Sequence, residues 1–279
     1  MSVGFTLIEL IFVILIFSII TFTSVNQITL IYDDFSQKNT ISKLKDETEY
    51  AAQKLELLFE NSIKESIISF SSVNYEDCKS IHDTLISNDS KTIAWLGIEK
   101  YGQYGEYQNG YYTPYWSGIV NLEKSNTLSI NDPVANFDKQ LILEKDISGS
   151  ANIGAIYFDS TSTKSCEDFY INGGKEIFEV TGVGNILTFT NNKPTQISQK
   201  YYLTNSAYAI KIENESDLVL YYNFHPWQQQ TYLSGSKTII SRNIASFGVE
   251  SSNGLIRLNI CSKHFEGMEQ KICVEKAIF

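Results

Sequence analysis

The chain opens on its longest uninterrupted apolar run. From Phe5 to Val25, FTLIELIFVILIFSIITFTSV, Glu9 is the single charged side chain, and neither Gly nor Pro occurs. A helix that is apolar on every face has no side to turn to water, and about 20 such residues cross the hydrocarbon core of a bilayer. The run is therefore expected to be a membrane helix. A secretory signal peptide needs a basic start and a shorter apolar stretch, and Met1-Ser2-Val3 carries no base. Further on, Ile41, Leu44, Thr48, Ala51, Leu55, Leu58 and Ser62 recur at alternating spacings of three and four. Ala52, Phe59 and Ile63 widen this stripe, and Lys45, Asp46, Glu49, Gln53, Lys54, Glu56 and Glu60 occupy the opposite face. With no Gly or Pro from Phe5 until Gly97, the pattern predicts one helix from Phe5 to about residue 70, its outer half packed on a domain.

Residues 71–279 change to short apolar or alternating runs between polar turns. Strands are expected at Thr92 to Ile98, Ile119 to Leu122, Ala155 to Phe158, Ile177 to Val180, Ile186 to Thr190, Tyr201 to Thr204, Tyr208 to Glu213 and Leu218 to Asn223. Asn214-Glu215-Ser216 joins the last two as a hairpin, and Ser251-Ser252-Asn253-Gly254 joins Ser246 to Glu250 with Leu255 to Cys261. Short helices are expected around Asp77 to Leu85 and Val134 to Glu144. The fold class that follows is α+β: a long N-terminal helix packed on a mainly antiparallel β-sheet domain.

Glu9 needs an explanation, since an ionisable group in a membrane helix costs on the order of 3 kcal/mol unless paired or hydrated. Hydration at the interface, helped by the positive helix end, is one answer. The neighbouring residues offer another. Gly4-Phe5-Thr6-Leu7-Ile8-Glu9, joined directly to the apolar run, resembles the processing site of the type IV pilin superfamily. The resemblance implies that prepilin peptidase cuts between Gly4 and Phe5, that the new Phe5 amine is methylated, and that Glu9 pairs with the N-terminal amine of a neighbouring subunit during assembly. It also implies residues 1–4 as leader, 5–70 as helix with 5–25 in the inner membrane, and 71–279 as a periplasmic β-rich domain. A count of Lys38, Lys43 and Lys45 favours the opposite orientation. Cleavage requires the N-terminus inside, and Asp33, Asp34, Asp46, Glu47 and Glu49 make that flank mixed. Asn26 stands where the family usually has a helix-bending proline.

A second stretch carries a looser likeness. Tyr201-Tyr202-Leu203, Tyr208-Ala209-Ile210, Leu218-Val219-Leu220-Tyr221 and Ile239 to Phe247 look like the C-terminal sheet of large minor pilins and J-type pseudopilins. The implied function is that of a minor type IV pilin or pseudopilin, helping to build a pilus or pseudopilus for adhesion, motility, type II protein secretion or DNA uptake. Its implied partners are other pilin or pseudopilin subunits, prepilin peptidase and the inner-membrane assembly machinery. The alternative is a membrane-tethered periplasmic binding or adhesive domain that joins no filament.

Charge narrows the partners. With 22 basic and 32 acidic side chains the net charge is −10, which repels phosphate backbones and counts against direct nucleic-acid binding. Cys78, Cys166, Cys261 and Cys273 all lie beyond the membrane run, in what would be an oxidising compartment. Three pairings are open; joining Cys261 with Cys273 closes a short loop and leaves Cys78 with Cys166. The rival is zinc on Cys261, His264 and Cys273, which lacks a paired C-x-x-C or a second nearby histidine.

Catalytic signals are sparse. His82, His225 and His264 are far apart in sequence, and no Gly-x-Ser-x-Gly elbow, phosphate-binding loop or His-Glu-x-x-His is present. His225, within Phe224-His225-Pro226-Trp227, fits a turn residue between aromatics. Asp132, Asp138, Glu144 and Asp146 lack calcium-loop spacing and fit a solvated acidic face. Neither an enzyme nor a cofactor is expected. One segment stands out: Tyr101, Tyr104, Tyr107, Tyr111, Tyr112, Tyr115 and Trp116 crowd together with Gly102, Gly105 and Gly110. Flat aromatic faces with polar rims suit sugars, bases or a protein partner, so the segment is a candidate partner surface. The alternative is that these rings cover a sheet edge or fill space between helix and sheet.

Overall fold

The computed structural model describes residues 6–81, 86–87, 92–148, 154–159, 164–252, 255–263 and 271–278. The chain divides into two compact units, residues 1–47 and 48–279. A helix, Leu7–Glu60, contributes to both.

In the first unit every residue from Thr6 to Asn39 is exposed. The helix is long and apolar enough to cross a membrane, and its apolar window buries nothing. Several of its hydroxyls bond locally: Ser18 donates to the Ile14 carbonyl, Thr21 to Phe17 and Thr29 to Val25, at 2.6, 2.7 and 3.0 Å. Such back-bonding lets a hydroxyl sit in an apolar helix without needing water. The helix runs unbroken through Asn26.

The second unit begins with the helix's last turns. Ala51, Ala52, Leu55 and Phe59 are buried while Lys45, Asp46, Gln53, Lys54 and Glu60 are exposed, so the expected stripe faces inward from Thr48 onward. The helix stops at Glu60 and not near residue 70; Ser62–Phe70 is a strand. Asn61 Nδ2 donates to the Leu57 carbonyl and Ser62 Oγ to that of Phe59, which satisfies two of the last free carbonyls. The five residues Ser66 to Phe70 are all buried. Ile67 faces one core cluster while Ile63, Ile68 and Phe70 face another. Successive residues pointing to opposite buried faces is the geometry of a central strand.

That strand sits in a six-stranded antiparallel sheet, ordered Ser236–Ser241, Asp217–Phe224, Ala207–Glu213, Thr92–Gly97, Ser62–Phe70, Lys79–Ser80. Every residue of Thr92–Gly97 is buried. Ile93 and Trp95 join the helix residues, with Phe59 and Trp95 ring centroids 4.3 Å apart. A C-terminal antiparallel sheet of Lys271–Ile278, Leu255–Lys263, Ile244–Ser252 and Ile86–Ser87 adds Phe247, Leu258 and Ile260 to the same core. On the opposite face, Ala94 and Leu96 meet Tyr157, Phe169, Tyr170 and Trp227. A third cluster, around Phe137, Phe158, Phe178 and Leu187, fills a five-stranded sheet ordered Tyr201–Thr204, Ala155–Phe158, Ile177–Val183, Ile186–Phe189, Ser129–Asn131. Helix Phe137–Ser148 contributes Phe137 to it.

The fold is thus α+β with a mainly antiparallel β domain. Both hairpins form, the first with Asn214 and Glu215 at φ 49° and 67°. Asn253 and Gly254 of the second lie outside the described residues. Two expected elements differ. Ile119 to Leu122 is not a strand: Ile119 makes one bridge to Lys200, and Asn121 caps a 3-10 turn, Leu122–Lys124, by accepting from the Glu123 amide. Residues 77–81 are not helical, because the Asp77 carboxylate accepts from the Ser71 and Ser72 amides and holds a turn instead. Residues 82–85 of that expected helix lie outside the described set. Disulfides join Cys78 with Cys166 and Cys261 with Cys273, the latter directly opposed across adjacent strands. They exclude a Cys261–Cys273 zinc pair.

Candidate functional site

The tyrosine-rich segment is mounted on the end of the central strand Thr92–Gly97. The Ile98 and Glu99 amides donate to the carbonyls of Asn61 and Leu203 at 2.7 and 2.8 Å. Glu99 is 2% exposed, and its carboxylate accepts from the Gly102 amide at 3.0 and 2.9 Å and from Trp116 Nε1 at 2.9 Å. One buried acid therefore caps helix Lys100–Tyr104 and holds the far end of the segment. Gly102 is required by close approach: a Cβ there would stand 1.6 Å from Gln140 Oε1 and 2.7 Å from Glu99 Oε2. Beyond the helix, Glu106–Gln108 and Tyr111–Thr113 form a separate two-stranded hairpin. Asn109 and Gly110 turn it with φ 54° and 92°, the positive values a tight hairpin needs.

The hairpin sorts its side chains. Tyr107 lies opposite Tyr112, their centroids 5.0 Å apart, while Gln108 lies opposite Tyr111 and Glu106 opposite Thr113. Glu106 pairs with Lys139 of the neighbouring helix and accepts from Gln108 Nε2. Tyr101, Tyr104, Tyr107, Tyr111 and Tyr112 are 61–71% exposed, so they do not fill an interior. Tyr115 is half-buried under Lys139. Trp116 departs from the expected partner surface: it is fully buried, packed 5.8 Å from Tyr201, because its indole is the inner tie to Glu99.

Two carboxylates expected on a solvated face are interior. Asp132 accepts from the Ser117 amide and hydroxyl, the Val134 amide and the Tyr201 hydroxyl. Glu144 is 1% exposed and accepts from Gln140 Nε2 at 2.9 Å and Asn205 Nδ2 at 3.1 Å. Burial pushes its carboxyl up to about 7, opposed by those donors and reinforced by the negative charge of Glu99. Gln140 turns Oε1 into the space beside Gly102 and Glu99, where that buried oxygen has no hydrogen-bond partner. Glu99, Gln140 and Asn205 carry no motif. Their signal in the sequence is the capping position of Glu99 ahead of a short helix and the i,i+4 spacing of Gln140 and Glu144.

At the other unit's end, Gly4 and Phe5 lie outside the described residues. Glu9 is exposed and accepts from the Thr6 amide and hydroxyl at 3.0 and 2.9 Å. Thr6-x-x-Glu9 is a capping pattern legible in the sequence, and it gives Glu9 a local partner within its own chain.

His82 and His264 lie outside the described residues. His225 is held in its turn, Nε2 donating to the Asn205 carbonyl at 3.0 Å beside the Trp227 ring, and burial lowers its pKa. An open recess of about 660 Å³ is lined by Phe158, Asp159, Lys164, Glu176, Ile197 and Lys200 among others. Its lysines are paired internally, Lys164 with Glu176 and Lys200 with Asp159. No group of three or more His, Cys, Asp and Glu arranged to hold a metal occurs among the described residues. Comparison with protein-family models, curated proteins and solved structures finds no match to this chain.

Proposed function

We propose that the chain is a minor type IV pilin or pseudopilin, a structural subunit of a pilus or pseudopilus. The observation that carries this is Gly4 to Glu9 joined without a gap to an apolar helix. The exposed face of that helix adds support: apolar side chains all round must be covered by lipid or by other helices. On this reading the chain is held in the inner membrane with its β domain in the periplasm, is cut after Gly4, and enters the filament through helix contacts. Its partners are other such subunits, prepilin peptidase and the assembly machinery. Its work is mechanical and needs no cofactor. The test is intact mass of the protein from its native host with and without the peptidase. A chain starting at methylated Phe5 only when the peptidase is present supports the reading; Met1 to Gly4 retained in both overturns it.

The Thr6–Glu9 cap favours one second reading, a tethered domain outside any filament, because it gives Glu9 a role without a neighbour. Glu9→Gln separates the two. Glutamine keeps a capping box but carries no charge. Incorporation of the wild-type chain that the variant loses supports the pilin reading, and absence of both chains from filaments supports the tether.

A further inference from the structure

We infer that the tyrosine face at 101–112 is a binding site for neutral polysaccharide, stacking pyranose rings on Tyr107 and Tyr112 with Tyr101 and Tyr104 extending the track. The inference holds for a filament subunit and for a tethered domain alike, since it rests on the β-rich unit alone.

Three features of the segment select this ligand. The first is aromatic exposure on a fixed mount. Five tyrosines are 61–71% exposed, yet the elements that bear them are clamped by Glu99, Gly102 and Trp116 beneath and by Glu106–Lys139 at the side. A buried carboxylate is costly to place, and here it holds outward-facing rings in position. Prefixed rings lose little entropy when a ligand stacks on them. The second is charge. The Glu106–Lys139 pair cancels within the site, leaving Lys100 as the one other ionic side chain from 100 to 118. The surface neither attracts phosphate backbones nor demands a charged ligand. The third is composition. From 99 to 118 there is no Ala, Val, Leu, Ile, Met or Arg. Protein interface cores enrich Met and Arg alongside their aromatics. This segment instead accompanies its aromatic faces with Gln103 and Asn109, whose amides both donate and accept, while Gln108 lies on the other hairpin face with its Nε2 donating to Glu106. Tyrosine faces carry negative potential that attracts the polarised C–H groups on the flat side of a pyranose, and amides at the rim match its hydroxyls.

The test is affinity electrophoresis of the full chain in lipid nanodiscs through native gels containing hydroxyethylcellulose, glycol chitin or mannan. Retardation by at least one of the three is expected, unchanged on adding 0.5 M salt. Tyr107→Ala/Tyr112→Ala should weaken it at least tenfold with the melting temperature unmoved, and Tyr107→Phe/Tyr112→Phe should retain it. No retardation in any gel, loss of retardation in salt, or wild-type retardation by the alanine pair overturns the inference.

Discussion

Phe17 and Phe59 lie on one helix and meet opposite fates. Phe17 is 69% exposed among neighbours that are exposed all round, whereas Phe59 is fully buried against Trp95. The chain solves the second problem itself, with a one-sided apolar stripe and a sheet to receive it. It leaves the first to its surroundings. An all-round apolar surface cannot be satisfied by one partner face, so only lipid or several helices will cover it.

The sharpest test of that contrast is Phe59→Ala, expected to cost the β-rich unit about 3–5 kcal/mol in denaturant unfolding through the cavity it opens. Next is Glu144, buried in the same unit while Glu9 stays exposed in the other. Its folded carboxyl is raised from 4.5 to about 7, so between those values the folded state holds a proton that the unfolded state has lost. Stability should therefore fall as pH rises through that window, by at most on the order of 3 kcal/mol. Glu144→Gln should flatten the fall, because an amide there does not titrate; an unchanged profile would assign the dependence elsewhere. Thr48→Val removes the buried 2.6 Å hydrogen bond to Ser262 Oγ and should cost about 1–3 kcal/mol, read from the same unfolding curves. Smallest is Phe17→Ala, expected to change the unfolding of the β-rich unit by less than about 0.5 kcal/mol. A larger loss would break the contrast and mean that the unit uses the apolar helix for its own stability.

Much of this architecture is legible in the residues. Leu55 and Phe59 recur at helical spacing and are buried; Ala155 to Phe158 and Tyr201 to Thr204 are strands at the expected bounds. Cys261 and Cys273 flank a hairpin, so their pairing follows from chain proximity. What the pattern hides has physical causes. Ile63, Ile67 and Ile68 fit a helical stripe as well as a two-sided strand, and no Gly or Pro marks the stop at Glu60. Trp116 looks like its tyrosine neighbours, because burial by a distant carboxylate leaves no local mark. Asp132 and Glu144 read as solvent-facing since their donors, Tyr201 and Asn205, lie 69 and 61 residues away.

The Cys78–Cys166 bond spans 88 residues of chain, and the tyrosine platform lies inside that covalent ring. Proteases meet the ring on two sides. A single nick anywhere between the two cysteines leaves both fragments tethered, so the platform stays attached to the helix end of the chain. Only a second cut or a reductant sheds it, which makes the exposed rings harder to strip from the protein than their surface position suggests.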